Sequence, residues 1–182
     1  MSDGESPELI ERARDGDRAA FEVLVGSAFP ALVRFCGSLA REEGRALDLA
    51  QETLLRALGG IRSFRGESRF TTWLMTIARN VWLNERARHW VKRERGDETL
   101  DARPGRGDGP VEIAAGRELE ERLAEAVAAL PEDQRTALLL CDRDGLSYRE
   151  IAGVMRCPLG TVMSRIHYAR KRLREALKAH AM

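Results

Sequence analysis

The sequence is poor in cysteine, in aromatic residues and in net charge. Its three cysteines, Cys36, Cys141 and Cys157, are odd in number and lie far apart in a chain of 182 residues. This pattern argues against a disulfide scaffold and favours the reducing cytoplasm, where packed free thiols are commoner than redox centres. The net charge of the whole chain is only +1, so any strongly basic surface must be local.

The sequence also lacks the signatures of a membrane protein, a secreted protein and an enzyme. No run of about 18 apolar residues stands out, so we expect no membrane span, and the acidic, polar N-terminus is not typical of a signal peptide. No glycine-rich phosphate loop, metal-spaced Cys/His set or nucleophile beside a base is visible, and the histidines are isolated. We therefore expect no enzymatic activity, no metal and no cofactor.

What is present is helical periodicity over almost the whole chain. Hydrophobic residues make up 43% and charged residues 32% of the sequence, which suits small helical domains with a large share of surface. Apolar residues recur at spacings typical of helices, whereas no alternating pattern of convincing length indicates a strand. The sequence therefore predicts an all-α protein.

Capping residues and prolines place the first helices. A Ser-Pro pair at residues 6–7 predicts the start of a helix, and the Asp-Gly-Asp run at residues 15–17 predicts its end and the start of the next. Pro30 is expected to kink or interrupt that second helix. A third helix is predicted over residues 44–59, and Ser68 is expected to cap a fourth, long helix.

A break in composition divides the chain into two modules. Residues 96–113 contain four Gly and two Pro among few large apolar groups, and five acids against two arginines give this stretch a charge of −3. Such a segment buries too little surface to offset its chain entropy, which predicts a flexible acidic linker. We therefore expect two small helical domains, residues 1–95 and 114–182.

The C-terminal module carries the pattern of a helix-turn-helix. Ser147 and Glu150 have the spacing of a capping box, which predicts the start of a short helix. Pro158 follows that helix and suits the first turn of a second one. The second helix has one apolar face, and its other side presents Thr161, Ser164, Arg165, Tyr168, Lys171 and Arg172. This pattern predicts a polar, cationic recognition helix.

The recognition helix is basic although the chain as a whole is not. Residues 164–178 hold six Lys or Arg and one Glu, a local charge of +5. An ordinary amphipathic helix with a solvated basic face is the plainer interpretation of such a charge. The capped short helix and the tight turn before it favour DNA contact instead.

A second basic zone lies in the N-terminal module. Residues 79–95 hold six Lys or Arg and two acids, a local charge of +4, and cations of this kind bind phosphates. Trp82 and Trp90 are suited to stacking on unpaired bases or to packing in the module's core, and the sequence leaves both interpretations open. Trp73 lies on the apolar stripe and is predicted to be a core residue.

Several blocks, in this order, resemble bacterial sigma factors of the extracytoplasmic-function (ECF) group over almost the whole chain. Residues 48–57 resemble region 2.2, and residues 64–80, with their Phe-x-x-Trp-Leu-x-x-Ile-Ala-x-Asn pattern, resemble regions 2.3 and 2.4. Residues 130–135 and the helix-turn-helix, with its Pro-Leu-Gly-Thr-Val-x-Ser-Arg block, resemble region 4. The resemblance implies an alternative sigma factor with two helical domains.

The resemblance also implies partners and site residues. Core RNA polymerase would be bound through the clamp helices of β′ and the flap of β, and a small anti-sigma protein would hold the factor inactive. The polymerase-facing residues would be Asp48, Gln51, Glu52 and Leu55. The minus-10 promoter element would be opened and read by Phe64, Arg65, Ser68, Arg79, Asn80, Asn84, Arg86 and Arg88. The minus-35 element would be read by Arg149, Thr161, Ser164, Arg165, Tyr168 and Lys171.

Other interpretations have to be weighed against this one. A stand-alone helix-turn-helix regulator of transcription would share the C-terminal module but would not explain residues 48–80. A structural adaptor that sequesters an inhibitor would need a defective DNA face, whereas both basic faces are intact. Relatives can carry arginine or phenylalanine where this chain has Met163, His167 and Tyr168, so the exact minus-35 sequence is not predicted.

Overall fold

The computed structural model describes residues 6–40, 43–94 and 114–179. Within these ranges the chain forms α-helices and one 3₁₀ turn, without a β-strand, so the predicted all-α class is confirmed. The chain divides into two compact units between residues 104 and 105. The predicted linker, residues 96–113, lies outside the described residues.

Unit 1 is built around one long central helix. Its elements are α1 (Pro7–Arg14), α2 (Arg18–Ala40), α3 (Glu43–Gly60), a 3₁₀ turn (Ile61–Ser63) and α4 (Phe70–Glu94). The second helix, α2, packs against α1, α3 and α4, and its Leu24, Leu32 and Phe35 are completely buried. Phe70 and Leu74 of α4 complete this core, and burial raises the pKa of the Cys36 thiol to about 12. All three cysteines of the chain are free.

The predicted boundary between the first two helices is confirmed. Ser6 accepts a hydrogen bond at its Oγ from the amide of Leu9, at 3.2 Å, which caps α1. Gly16 has a φ of 98°, a conformation that glycine adopts without steric cost, and it allows the chain to turn. Asp17 then accepts a hydrogen bond at Oδ1 from the amide of Ala20, at 3.1 Å, so it caps α2.

Two local predictions in unit 1 differ from the structure. The second helix, α2, runs through Pro30 without ending, so the expected interruption is wrong, whereas the expected kink stays a prediction. Proline removes only the hydrogen bond to the carbonyl of Gly26, and both residues are exposed, so water can satisfy that carbonyl. Ser68 does not cap α4, because its Oγ donates at 3.4 Å to the carbonyl of Arg69. That carbonyl also accepts from the Trp73 amide.

The expectation that no segment is long and apolar enough to span a membrane does not hold for α2. Residues Arg18–Ala40 are long and apolar enough to do so, with a window hydropathy of 1.6. In the structure α2 is a core helix that contacts three neighbours. Length and composition are weak evidence for a span when packing accounts for the same residues.

Unit 2 contains the predicted helix-turn-helix. Its elements are α5 (Ala114–Ala128), α6 (Glu132–Asp142), α7 (Tyr148–Met155) and α8 (Leu159–Ala179), and α8 packs against the other three. The core is formed by fully or nearly fully buried side chains of α6, α7 and α8: Ala137, Leu140, Ile151, Val154, Val162, Ile166 and Ala169. The apolar face predicted for the last helix is thus the one that packs.

The turn before α8 is fixed by backbone hydrogen bonds. Ser147 and Glu150 form the predicted capping box at the start of α7. Arg156 ends α7 in the left-handed conformation, with a φ of 47°, and its amide bonds the carbonyls of Ala152 and Gly153. The carbonyl of Pro158 then accepts from the amide of Thr161 at 2.9 Å, which starts α8.

The left-handed residue gives a stability prediction for unit 2. Arg156→Gly should raise the free energy of unfolding by about 0.5–1 kcal/mol. Removing Cβ relieves roughly 1–2 kcal/mol of steric strain, whereas glycine costs about 0.5–1 kcal/mol of chain entropy. Both tyrosines of the chain lie in unit 2 and all tryptophans in unit 1, so tyrosine absorbance during urea unfolding follows unit 2. Arg156→Ala, which keeps Cβ, is the control, and an equal gain in both variants would contradict the explanation.

Candidate nucleic-acid and polymerase interfaces

The outer face of α3 combines polar and apolar side chains. Asp48 and Gln51 are exposed, and Leu55 is 67% exposed. Glu52 is half-buried and accepts a hydrogen bond from Nε of Arg56 at 2.8 Å. These four residues, all predicted to face the polymerase, therefore lie together on the side of α3 that turns away from the core.

Two further leucines extend this face. Leu47 is 44% and Leu58 is 48% exposed, and neither leucine is among the predicted polymerase-facing residues. The spacing from Leu47 to Leu55 and Leu58 puts all three on one side of a helix, opposite Leu49 and Ala57. A helical projection of the sequence would have found this stripe. We call Leu47, Leu55 and Leu58, with Asp48 and Gln51 between them, the α3 stripe.

The region that leads into α4 rests on an aromatic cluster. The ring of Phe64 lies 5.7 Å from that of Phe70 and 5.1 Å from that of Trp73. Phe64 is only 2% exposed, so the predicted contact of this ring with DNA does not fit the free chain. Its position instead supports the exposed loop that follows, which contains Arg65 and Ser68.

The predicted minus-10 residues of α4 differ in their accessibility. Asn84, Arg86 and Arg88 are exposed and Asn80 is half-buried. Arg79 is only 9% exposed, which does not fit a direct phosphate contact, because its place in the helical period puts it against the packed side. Asn80, Asn84 and Arg88, spaced four residues apart, thus lie along one side of α4, whereas Arg86 lies on another side.

For Trp82 and Trp90 the sequence left open whether each stacks on bases or packs in the core, and the structure distinguishes the two residues. Trp82 is 8% exposed and the guanidinium of Arg45 lies 5.7 Å from its ring centre, so Trp82 packs between α3 and α4. Stacking on a base is therefore excluded for Trp82 in this conformation. Trp90 is 64% exposed on a basic helix, where an aromatic face is accessible to a base or a partner. Trp73 packs in the aromatic cluster, as predicted.

The outer face of α8 carries most of the predicted minus-35 residues. Ser164, Tyr168 and Lys171 are exposed, Thr161 is half-buried, and Arg149 is exposed on α7. Met163 is 53% exposed on the side of α8 that also carries Leu173 and Leu177, and the ring of His167 lies 5.5 Å from that of Tyr168 in an edge-on arrangement. The outer face offers hydroxyl and aromatic groups with the exposed cations Lys171 and Arg172, which is the mixture that contacts base edges and phosphates.

Two arginines of α8 point to another helix instead of outward. Arg165 is paired through Nη2 with Asp133 of α6, and its Nη1 lies 3.3 Å from Sγ of Cys157. Arg170 donates from Nη2 at 2.6 Å to Asp142 at the end of α6. The hydrogen bond from Arg170 lowers the pKa of the Asp142 carboxyl, and Asp142 raises the pKa of Arg170. Arg165, predicted to read the minus-35 element, is thus engaged within unit 2.

Comparison with known proteins identifies the class to which these two units belong. Residues 24–92 match sigma-70 region 2, and residues 120–173 match sigma-70 region 4. The chain is 36% identical to the RNA polymerase sigma-H factor of Pseudomonas aeruginosa, over 98% of this chain and 96% of that protein. It is 35% identical to the ECF RNA polymerase sigma-E factor of Escherichia coli (strain K12), over 90% of this chain and 89% of that protein.

Solved structures agree with this assignment. The sigma factor RpoE of Bartonella quintana, in complex with the anti-sigma factor NepR, superposes with a TM-score of 0.70 at 30% identity, over 87% of this chain and 96% of that chain. CnrH, in complex with the cytosolic domain of CnrY, gives a TM-score of 0.67 at 25% identity, over 94% of this chain and 96% of that chain. The chain therefore belongs to the sigma-70 family of RNA polymerase sigma factors, in its ECF group.

Family membership decides between the interpretations of the helix-turn-helix. The protein is an alternative sigma factor, a transcription initiation factor that acts with RNA polymerase. A stand-alone regulator would need only the unit that matches region 4, and it would not account for the match of residues 24–92 to region 2.

The buried position of Phe64 gives a prediction that distinguishes a residue that supports the loop from one that contacts DNA. Phe64→Ala should lower the free energy of unfolding of unit 1 by about 3–5 kcal/mol, because it opens a cavity beside Phe70 and Trp73. Tryptophan fluorescence during urea unfolding measures this loss. Ser68→Ala, in the exposed loop, is the control and should change stability by about 0.5 kcal/mol or less. A stable Phe64→Ala protein that fails only in promoter opening would instead identify Phe64 as a DNA contact.

Proposed function

We propose that this sigma factor docks on core RNA polymerase through the α3 stripe. The observation that carries the proposal is the exposure of Leu47, Leu55 and Leu58 along one side of a helix whose other side is core. Scattered surface leucines are common, but an aligned set beside acids and an amide is typical of a protein-binding surface. The clamp helices of β′ are the proposed contact, as the resemblance to region 2.2 implies.

We infer that unit 1 opens and reads the minus-10 element. Asn80 is half-buried, so its amide is held in place and has both a donor and an acceptor for the edge of an unstacked base. Arg86 and Arg88 are exposed further along α4 and would bind the phosphates of the melted strand. The loop with Arg65 and Ser68, supported by the aromatic cluster around Phe64, would enclose the unstacked base.

We infer that unit 2 reads the minus-35 element through the outer face of α8. Thr161, Ser164 and Tyr168 would contact base edges in the major groove, and Arg149 and Lys171 would bind phosphates. The contact with the flap of β is proposed for this unit as well. We infer that the protein acts in the cytoplasm, with RNA polymerase.

We propose that an anti-sigma protein controls the factor. The two solved relatives are complexes with an anti-sigma factor or with a protein's cytosolic domain. Unit 2 also has an open groove that such a partner could cover, in which leucines such as Leu123, Leu173 and Leu177 alternate with charged side chains such as Asp142 and Arg174. Co-purification from native cells would identify the partner.

Charge reversal on α3 tests the polymerase face. Asp48→Lys combined with Glu52→Lys should abolish co-elution with core RNA polymerase in size-exclusion chromatography, because it reverses two charges beside Leu55. Helicity should not change, since both side chains reach solvent. The control is Glu11→Lys with Glu22→Lys, because Glu22 forms the same kind of i,i+4 pair, with Arg18. Normal holoenzyme formation by the α3 variant would rule out this surface.

Asn80 provides the test of promoter opening. Asn80→Ala should leave recruitment to duplex promoters nearly intact but reduce strand opening by about tenfold, the equivalent of one well-placed base contact of roughly 1–3 kcal/mol. On a pre-melted bubble that contains the recognised base, Asn80→Ala should remain defective. The wild-type protein should show the same defect on a template in which that base is changed. Permanganate footprinting and run-off transcription measure both steps. Full rescue of the variant by the bubble would show that Asn80 does not hold a base.

A further inference from the structure

The recognition helix α8 is attached to α6 near both ends of α6. Asp133, the second residue of α6, pairs with Arg165, and Asp142, the last residue of α6, pairs with Arg170. The two acids are nine positions apart, a separation of about 13 Å along a helix. We call these two ion pairs the α6–α8 clamp.

The state of Arg165 does not suit the reading of a base. An arginine that recognises guanine directs a pair of N–H groups to the base edge. In Arg165 one terminal nitrogen is paired with the carboxylate of Asp133 and the other lies 3.3 Å from the sulfur of Cys157. The side chain is 23% exposed. To read a base, the guanidinium would have to break its pairing with Asp133 and turn away from α6.

The clamp has a geometric effect that apolar packing alone does not supply. Val162, Ile166 and Ala169 are buried in the core of unit 2, and apolar packing of this kind selects a class of crossing angle but leaves a scatter of about 15–20° within it. Two polar contacts separated along α6 oppose rotation of α8 about that packed centre. The angle of a recognition helix determines which side chains reach base edges.

We propose that Arg165 and Arg170 are positioning residues, which hold α8 at its reading angle through Asp133 and Asp142. Base reading at minus-35 then falls to the side chains of Thr161, Ser164 and Tyr168 on the outer face of α8. This inference rests on the proposed role of unit 2 in promoter recognition. It reassigns Arg165 from a contact with DNA to a contact within the protein.

The exposure of the clamp makes it open to a test by mutation. The side chains of Asp133, Asp142 and Arg170 are close to half exposed. Ion pairs of this kind contribute little to global stability, so variants should remain folded. An effect on promoter choice would therefore report the angle of α8 instead of unfolding.

The experiment uses holoenzyme formed from core RNA polymerase and the full chain. Duplex DNA randomised over the minus-35 and minus-10 positions is selected for binding, first with the wild type and then with Arg165→Ala, Asp133→Asn and the double variant. Arg172→Ala, which removes a cation from the exposed face of α8, measures the loss due to charge alone. Asp133→Glu tests for rescue by a second carboxylate. Thermal unfolding of each variant confirms that it is folded at the selection temperature.

We expect both single variants and the double variant to give the same result. The recovery of minus-35-dependent promoters, relative to promoters with a strong minus-10 element alone, should fall about two- to fivefold, as the loss of one partly exposed ion pair allows. The preferred base at each minus-35 position should not change, and Asp133→Glu should recover most of the ratio. A change that acts only on stability would lower the recovery of both promoter classes and leave their ratio unchanged.

The opposite outcomes are distinct. If Arg165→Ala loses its preference at one base position while Asp133→Asn retains it, Arg165 reads that base and the clamp is wrong. Additive effects of the two single variants would also overturn the clamp, because the residues would then act separately. Arg170→Ala supplies an independent variant, for which the same fall in the ratio is expected. If the wild-type holoenzyme selects no minus-35 sequence at all, the proposed role of unit 2 fails, and the function of the clamp fails with it.

Discussion

The burial of a single apolar stripe on each helix is the constraint on which the rest of the structure depends. Each unit is too small to surround a helix completely, so every helix has a packed side and an open side. In α3, Leu49 and Ala57 are buried while Leu55 is two-thirds exposed. In α8, Val162 and Ile166 are buried while Ser164 and Tyr168 face solvent. The open sides are the surfaces available to the polymerase and to DNA.

This constraint explains how much of the fold could be predicted from the sequence. Helical periodicity places a residue on the inner or outer side, so the helices and the core of the helix-turn-helix were predicted correctly. The capping box at Ser147 could also be predicted, because its hydrogen bonds join residues only three positions apart. The interruption expected at Pro30 does not occur, because tertiary packing of α2 outweighs the loss of one solvent-facing hydrogen bond. Ser68 was misjudged because α4 begins at Phe70, which leaves the serine outside the capping position.

The candidate site was harder to predict than the fold, because long side chains reach beyond the helix face that carries them. Arg165 lies next to the exposed Ser164 in the sequence, but its guanidinium reaches Asp133, which is 32 positions away along the chain. Phe64 belongs to a loop by sequence pattern, yet two aromatic rings from α4 cover it. Periodicity contains no information about such contacts between elements. Where each residue lies is therefore predictable, whereas what its polar end touches is not.

The exposed apolar surfaces and the nearly neutral charge together explain why this protein acts with a partner. A chain with a net charge of +1 lacks the overall phosphate attraction that supplies most non-specific DNA affinity, although α8 is locally basic. The α3 stripe leaves three leucines in water, a cost that binding to another protein removes. Docking on the polymerase would thus supply the affinity that the DNA-facing helices lack, and those helices would contribute mainly sequence choice. An inhibitor that covers the α3 stripe would then silence both promoter readers without touching either of them.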